Sequence, residues 1–337
     1  MVEHPTVVVI AHPGAGRGAF ARVWPAVADE LEGRGIACDV RLTTRAMEAA
    51  EFARQAAVER ASLVLAVGGD GTLHEVVNGL LADDAAAPDL PVLGLVPAGR
   101  GSDYARGLDL PRHPAPLAAR FAAAVAGDPE AAHPVDVGEV RYRPSHLVAG
   151  RPAPEPPVEI AAERDDGERA IRRFINGAGV GFSPFVAQRT ARFPPRLGSY
   201  LYTAAALLTI VDWGERRVSL RWADGTEADR AAESIEMALG GYEGGGMHVA
   251  PGADPRDGLF DAVVIDATSR FELFTFAWRI RSGDHLRSPR VELRRTAGLE
   301  VVAADGRGPL YLQADGELLG RDPFAFRMLP AAVRFVW

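Results

Sequence analysis

Over the first third of the chain, unbroken apolar runs alternate with stretches in which apolar residues recur at helical spacing. Residues 6–10 form a β-branched run that breaks at His12, Pro13 and Gly14. Residues 20–33 place Phe20, Val23, Val27 and Leu31 on one helical face and stop at glycine. Residues 36–42, 63–67 and 92–96 predict three further strands, and residues 46–60 and 73–81 two further helices. Strand, glycine loop and helix recur in a fixed order. That order predicts a parallel α/β sheet whose buried strands read as continuous apolar runs, with ligand loops at the strands' carboxyl ends.

The pattern changes after about residue 132. Residues 135–142 read as a strand, and residues 143–169, rich in proline and charge, predict a loop or mobile insertion. Short β-like runs follow at 172–176, 218–222, 234–239, 260–265, 290–294, 299–302 and 310–313, separated by turn residues. They predict an antiparallel β domain, interrupted by helical stretches at 199–211 and 271–282. The expected division is an α/β domain over residues 1–134 and a β-rich domain over residues 135–337.

Composition narrows the class. The chain has 337 residues, 47% apolar and 24% charged, which suits roughly two globular domains and excludes a disordered, collagen-like or disulfide-built chain. The lone Cys38 has no partner within the chain, as expected in a reducing compartment. With 37 basic against 45 acidic residues the net charge is -8, which argues against coating nucleic acid. The first ten residues lack a cationic leader, and the apolar stretch 200–211 is too short to span a bilayer. The expectation is a cytoplasmic protein that touches a membrane surface at most, without crossing it. Oligomeric state is left open, with a homodimer admitted.

The candidate chemistry lies in the glycine loops. Residues 68–72, GGDGT, follow a strand and open a helix, so backbone N–H groups and the helix dipole converge on one spot, an arrangement that attracts phosphate. Asp70 fits there if a Mg²⁺ bridges carboxylate and phosphate oxygens; the plain alternative is a tight strand-to-helix turn. Residues 97–103, PAGRGSD, supply Gly99, Arg100 to clamp phosphate, and Asp103 to cap a helix or assist a metal. Asp254 and Asp257, three residues apart around a turn, either bind a hard cation or form a solvated Asp-Gly turn. Asp315-Gly316-Glu317 is a hairpin turn or the seat of a base, Glu317, that takes a proton from an attacking hydroxyl. His12 and His74 lie beside glycine loops, and no His/Cys spacing points to a transition metal.

Together these motifs resemble the diacylglycerol kinase catalytic-domain family, in its bacterial lipid kinase branch related to sphingosine and ceramide kinases and, more distantly, to NAD kinase and 6-phosphofructokinase. The GGDGT run is followed by LHEVVNG, residues 97–106 read PAGRGSDYAR, residues 176–182 NGAGVGF, residues 244–261 GGGMHVAPGADPRDGLFD, and residues 315–317 DGE. The resemblance implies a Rossmann-like α/β N-terminal domain, a β-sandwich C-terminal domain and a nucleotide cleft between them. It implies ATP held by Gly68, Gly69, Asp70, Gly71, Thr72, His74 and Glu75, by Gly99 and Arg100, and by His12 and Thr43. It implies Glu317 as base, Asp70 and Asp103 near Mg²⁺ and phosphate, and a structural Mg²⁺ held by Asp254, Asp257 and the carbonyl of Leu259. Arg100, Ser102 and His12 depart from the family's Thr, Asn and Asn.

The expected function is therefore ATP-dependent transfer of the γ-phosphate to the hydroxyl of a lipid acceptor. The alternatives are a kinase of NAD or another soluble alcohol, and a nucleotide-binding regulator without catalysis. Residues 189–211 combine arginines with apolar residues and suit either contact with lipid or an ordinary core helix.

Overall fold

A computed structural model of the chain describes residues 7–14, 18–83, 87–99, 101–145, 147–148, 151–152, 169–190, 200–212 and 214–337. Arg100 and most of the insertion expected at 143–169 lie outside the described residues, as does the stretch 191–199. The chain divides into two units. The first comprises the chain up to Asp136 and the last seven residues, Ala331–Trp337; the second comprises the described residues from Val137 to Pro330. The return of the C-terminus to the first unit has no counterpart in the contiguous division expected from sequence.

The first unit alternates β1 (Val7–Ala11), α1 (Ala19–Glu32), β2 (Cys38–Leu42), α2 (Glu48–Val58), β3 (Leu63–Gly68), α3 (Asp70–Leu80), β4 (Val92–Pro97), α4 (Asp103–Gly107) and α5 (Pro114–Val125), and leads into β5 (His133–Pro144). Its strands pair in parallel in the order β2, β1, β3, β4. Every residue of β1 and β3 is buried, because helices cover both faces, which is why these strands read as uninterrupted apolar runs. Trp24, Val27 and Leu31 of α1 and Phe121 of α5 close one core with Leu65, Val67 and Val96; each such side chain contributes roughly 1.5–3 kcal/mol by leaving water. Elsewhere small residues let helices touch. Ala49, Ala50, Ala53 and Ala56 make the buried face of α2, and a β-carbon on Gly79 of α3 would fall 2.0 Å from the Ala50 carbonyl oxygen.

The second unit carries β6 (Leu147–Val148), β7 (Arg151–Pro152), β8 (Ala170–Phe174), β9 (Gly177–Gly181), α6 (Phe182–Thr190), α7 (Tyr200–Asp212), β10 (Arg216–Trp222), β11 (Glu227–Ala238), β12 (Phe260–Asp266), α8 (Arg270–Arg279), β13 (Val291–Thr296), β14 (Gly298–Ala303), β15 (Tyr311–Ala314) and β16 (Glu317–Phe335), the last ending in the first unit. β11 is the organising strand. Its first half pairs with β10 and its second half with β9, and its pairing with β12 is irregular between Ala232 and Ser234, where the partner changes. β15 lies between β9 and β16. The main core gathers Phe174, Phe260, Phe324, Phe326 and Trp222, with Phe174 stacked on Phe260 at 5.7 Å. A second core forms where Ile210 of α7 and Leu273 and Phe276 of α8 cover Ala238 and Val263.

Among the described residues no helix is long and apolar enough to cross a membrane.

Candidate active site

β3 ends at Gly68, Gly69 is extended (φ -105°), and α3 opens at Asp70, three residues earlier than the sequence predicts. Asp70, Gly71 and Thr72 thus form its first turn, whose N–H groups have no partner within the helix. The glycines are required by contact. Thr72 Oγ1 lies 2.3 Å from where a β-carbon on Gly68 would stand. The Ala98 N–H donates to the Gly68 carbonyl at 2.8 Å. A β-carbon on Gly99 would come within 2.4 Å of the Gly69 Cα, so the loops after β3 and β4 lie backbone against backbone.

Asp70 joins the same two loops by charge. Its Oδ2 accepts the Asp103 N–H at 3.1 Å and its Oδ1 the Tyr104 N–H at 3.2 Å, so the carboxylate caps α4 from outside. Bonds to an ionised acceptor are worth about 1.5–3 kcal/mol each. Asp103 is itself buried, and its Oδ1 lies 3.8 Å from Arg106 Nη1. Tyr104 packs edge-on against Phe335 at 5.2 Å, which ties the loop to the returning C-terminus. Arg100, the expected phosphate clamp, lies outside the described residues.

The loops after β1 and β2 are joined in turn. The Thr43 N–H donates to the Ala11 carbonyl at 2.8 Å, and His12 Nδ1 shares a hydrogen bond with Thr43 Oγ1 at 3.1 Å. His74 and Glu75 are bonded within the helical layer. His74 is fully buried in α3, its carbonyl accepting from Asn78 Nδ2 at 2.8 Å. Glu75 accepts the Ala49 N–H at 3.2 Å, which ties α3 to α2. So Gly68, Gly69, Asp70, Gly71, Thr72, Gly99 and Asp103 come together, His12 and Thr43 form a second pair, His74 bonds Asn78 within α3, and Glu75 bonds the start of α2.

In the second unit, Glu317 opens β16 opposite Ala314 and is exposed. The turn before it is tightly held. Asp315 and Gly316 both have positive φ, 48° and 87°. The Asp315 carboxylate accepts the N–H groups of Ile175 (3.1 Å), Asn176 (3.0 Å) and Gly177 (3.1 Å). Gln313 Oε1 accepts the Gly316 N–H at 2.8 Å. Asp315 and Gln313 are the positioning residues that sequence reasoning missed; the only signal was Asp315's place in the DGE motif.

A buried carboxyl lies in register with that turn. Glu236 of β11 and Gln313 of β15 both pair with Gly179, one from each side, so all three share a row across the sheet. Glu236 Oε1 accepts from Ser234 Oγ at 2.5 Å. A β-carbon on Gly179 would fall 2.1 Å from Glu236 Oε2 and 1.9 Å from Ser183 Oγ. Glycine at 179 therefore makes room for the carboxyl. Burial pushes Glu236 up to about 7, against the opposing pull of the Ser234 and Ser183 hydroxyls.

The turn expected to hold a structural Mg²⁺ is organised by arginines. Asp254 Oδ1 and Oδ2 accept from Arg256 at 2.9 and 3.2 Å, which holds this carboxyl below its usual range. Asp257 accepts from the guanidinium of Arg295 and, through Oδ1, from the Leu259 N–H at 3.0 Å. Among the described residues no group of three or more His, Cys, Asp or Glu side chains is placed to hold a metal ion. In this structure both carboxylates are therefore paired with arginine side chains that are about half exposed, at 52% for Arg256 and 51% for Arg295.

Comparison with known proteins agrees with this layout. Residues 6–140 match the diacylglycerol kinase catalytic domain, and residues 177–337 match the YegS C-terminal NAD kinase beta sandwich-like domain. A diacylglycerol kinase of Bacillus subtilis (strain 168) is 26% identical over 319 residues, covering 94% of this chain and 91% of its own. A Xanthomonas oryzae pv. oryzae protein named "Probable lipid kinase YegS-like" is 29% identical over 310 residues, covering 90% of this chain and 88% of its own. The fold is shared with a crystal structure of a diacylglycerol kinase from Bacillus anthracis str. Sterne, at a TM-score of 0.66 and 18% identity, over 100% of this chain and 98% of that one. With both domain models matched in order, the chain belongs to the diacylglycerol kinase catalytic-domain family, with an α/β catalytic domain followed by a β-sandwich-like domain.

Proposed function

We propose that the protein is an ATP-dependent lipid kinase that phosphorylates the hydroxyl of a diacylglycerol-like lipid. One observation carries the reading: the intact GGDGT turn meets the Gly99 loop backbone to backbone, and Asp70 locks Asp103 at the start of the next helix. Glycine contacts of this kind leave backbone N–H groups able to approach triphosphate oxygens, and the first turn of α3 adds its dipole.

The acceptor oxygen forms a bond to the γ-phosphorus as the bond to the bridging β-oxygen breaks, so ADP leaves. Glu317, exposed and held by the Asp315–Gly316 turn, takes the hydroxyl proton. Magnesium arrives with the nucleotide as part of the substrate, and Asp103 and Asp70 are the carboxylates assigned to it. The reading requires no metal at the Asp254–Asp257 turn.

Purified protein with Mg·ATP and diacylglycerol in detergent micelles should yield phosphatidic acid, and Glu317→Gln should slow its formation by roughly 10²–10⁴-fold while sparing ATP binding. Normal ATP binding with no phosphorylated product from any lipid acceptor would overturn the reading.

A further inference from the structure

α8 has two apolar faces, and among the described residues only one is packed into a core. Leu273 and Phe276 point into the core beneath it. Phe271 is 80% exposed, Trp278 70% and Phe274 40%. At 100° per residue these three fall within an arc of about 60° on the opposite side. Of the ten large apolar side chains that stand exposed among the described residues, all the aromatic ones are on this helix. Two more, Leu208 and Val211, are on α7, which packs against α8 in the same core.

Charge surrounds the stripe. Arg270 and Arg279 fall on either flank of the aromatic arc. Residues 268–290 hold five arginines against Glu272 and Asp284, a local net charge of +3 (5 - 2) in a chain whose net charge is -8. Both acids are engaged: Glu272 accepts from the Thr268 hydroxyl, and Asp284 pairs with Arg287 at 3.0 Å. The helix is fixed at its start, where Ser269 Oγ accepts the Glu272 N–H at 3.2 Å.

We infer that this face of α8 is a docking surface for an anionic lipid bilayer, with Phe271, Phe274 and Trp278 entering the headgroup layer and Arg270 and Arg279 meeting lipid phosphates. Aromatic rings flanked by arginine match that boundary, where apolar depth and negative charge lie within one side chain's reach. The inference rests on the lipid-kinase reading for its purpose: a diacylglycerol acceptor resides in the bilayer on which this surface would land.

The test is co-sedimentation of the full chain with phosphatidylcholine vesicles, with and without phosphatidylglycerol. The wild type should bind the anionic vesicles, less so as salt rises. Phe271→Ser with Trp278→Ser should lower partitioning by roughly tenfold or more, whereas Val58→Ser, equally exposed on α2, should not. Arg270→Glu with Arg279→Glu should remove the preference for phosphatidylglycerol. Failure of the wild type to bind, or undiminished binding by the Phe271/Trp278 variant, overturns the inference. So does a stripe substitution that changes only the oligomeric state, since the cover would then be a second copy of the chain. Phosphorylation of a water-soluble short-chain diacylglycerol keeps the two readings apart. It should be equal in the wild type and the Phe271/Trp278 variant, and its absence from both would defeat the kinase reading whatever the vesicles show.

Discussion

Gly69 and Gly99 meet across two loops with no room for a side chain: a β-carbon on Gly99 would stand 2.4 Å from the Gly69 Cα. Both neighbours are backbone, so neither can rotate away. Gly99→Ala must therefore push the loop after β4 off the loop after β3. The expected result is a loss of about 1–3 kcal/mol of stability, the usual cost of overpacking, and ATP affinity lowered by roughly tenfold or more. Urea unfolding and calorimetric ATP titration measure the two effects. Unchanged ATP affinity would mean that the joined loops do not form the nucleotide site.

Asp315 and Glu317 should separate structure from chemistry within three residues. Asp315 accepts three backbone N–H groups of the segment entering β9, and Asp315→Ala leaves those donors without their carboxylate. A loss of about 3–5 kcal/mol is expected, read from the urea midpoint. Glu317 is exposed at the strand's first position. Glu317→Gln should leave stability within about 0.5 kcal/mol and lower kcat by roughly 10²–10⁴. A Glu317→Gln enzyme of normal turnover would remove this residue from the mechanism.

Asp70 is assigned to the nucleotide's cation, yet both its oxygens already serve α4, at Asp103 and Tyr104. Asp70→Asn keeps one acceptor oxygen and sets an NH₂ group against the other backbone donor. The melting temperature should fall together with ATP affinity, with a stability loss of about 1–3 kcal/mol. If affinity fell while stability held, the carboxylate would act on the ligand alone and its bonds to α4 would be energetically idle.

What sequence could reveal follows from where each partner lies along the chain. β1, β3 and β4 were legible because strands covered on both faces read as plain apolar runs. The start of α3 was not. Gly71 and Asp70 favour a loop locally, whereas Thr72 lying over Gly68 and Asp70 reaching α4 help hold that turn helical. β9, with three glycines in five residues, offers no side-chain period to read; its glycines matter because Glu236 and Ser183 occupy the space above Gly179. Asp315 bonds Ile175, 140 positions away, a distance no local pattern encodes. Among the chemical motifs, GGDGT and DGE were legible as residues, whereas the work of Asp315, Gln313 and Glu236 depends on register between strands.

Glu236 gives the fold a pH dependence of defined sign. Burial raises its carboxyl from an ordinary 4.5 to about 7, so between those values the folded chain holds a proton that the unfolded chain has released. Folding then binds a proton, and stability falls as pH rises from about 4.5 to about 7, levelling off above. The full difference corresponds to on the order of 3 kcal/mol, at 1.36 kcal/mol per unit. Glu236→Gln keeps the shape and an acceptor for the Ser234 hydroxyl but cannot ionise. The variant should match the wild type near pH 4.5 and exceed it at pH 8, where its urea midpoint should be higher. An equal midpoint at both pH values would mean that the carboxyl ionises freely in the folded chain, and the packing of Glu236 against Ser183 over Gly179 would have to be open to water.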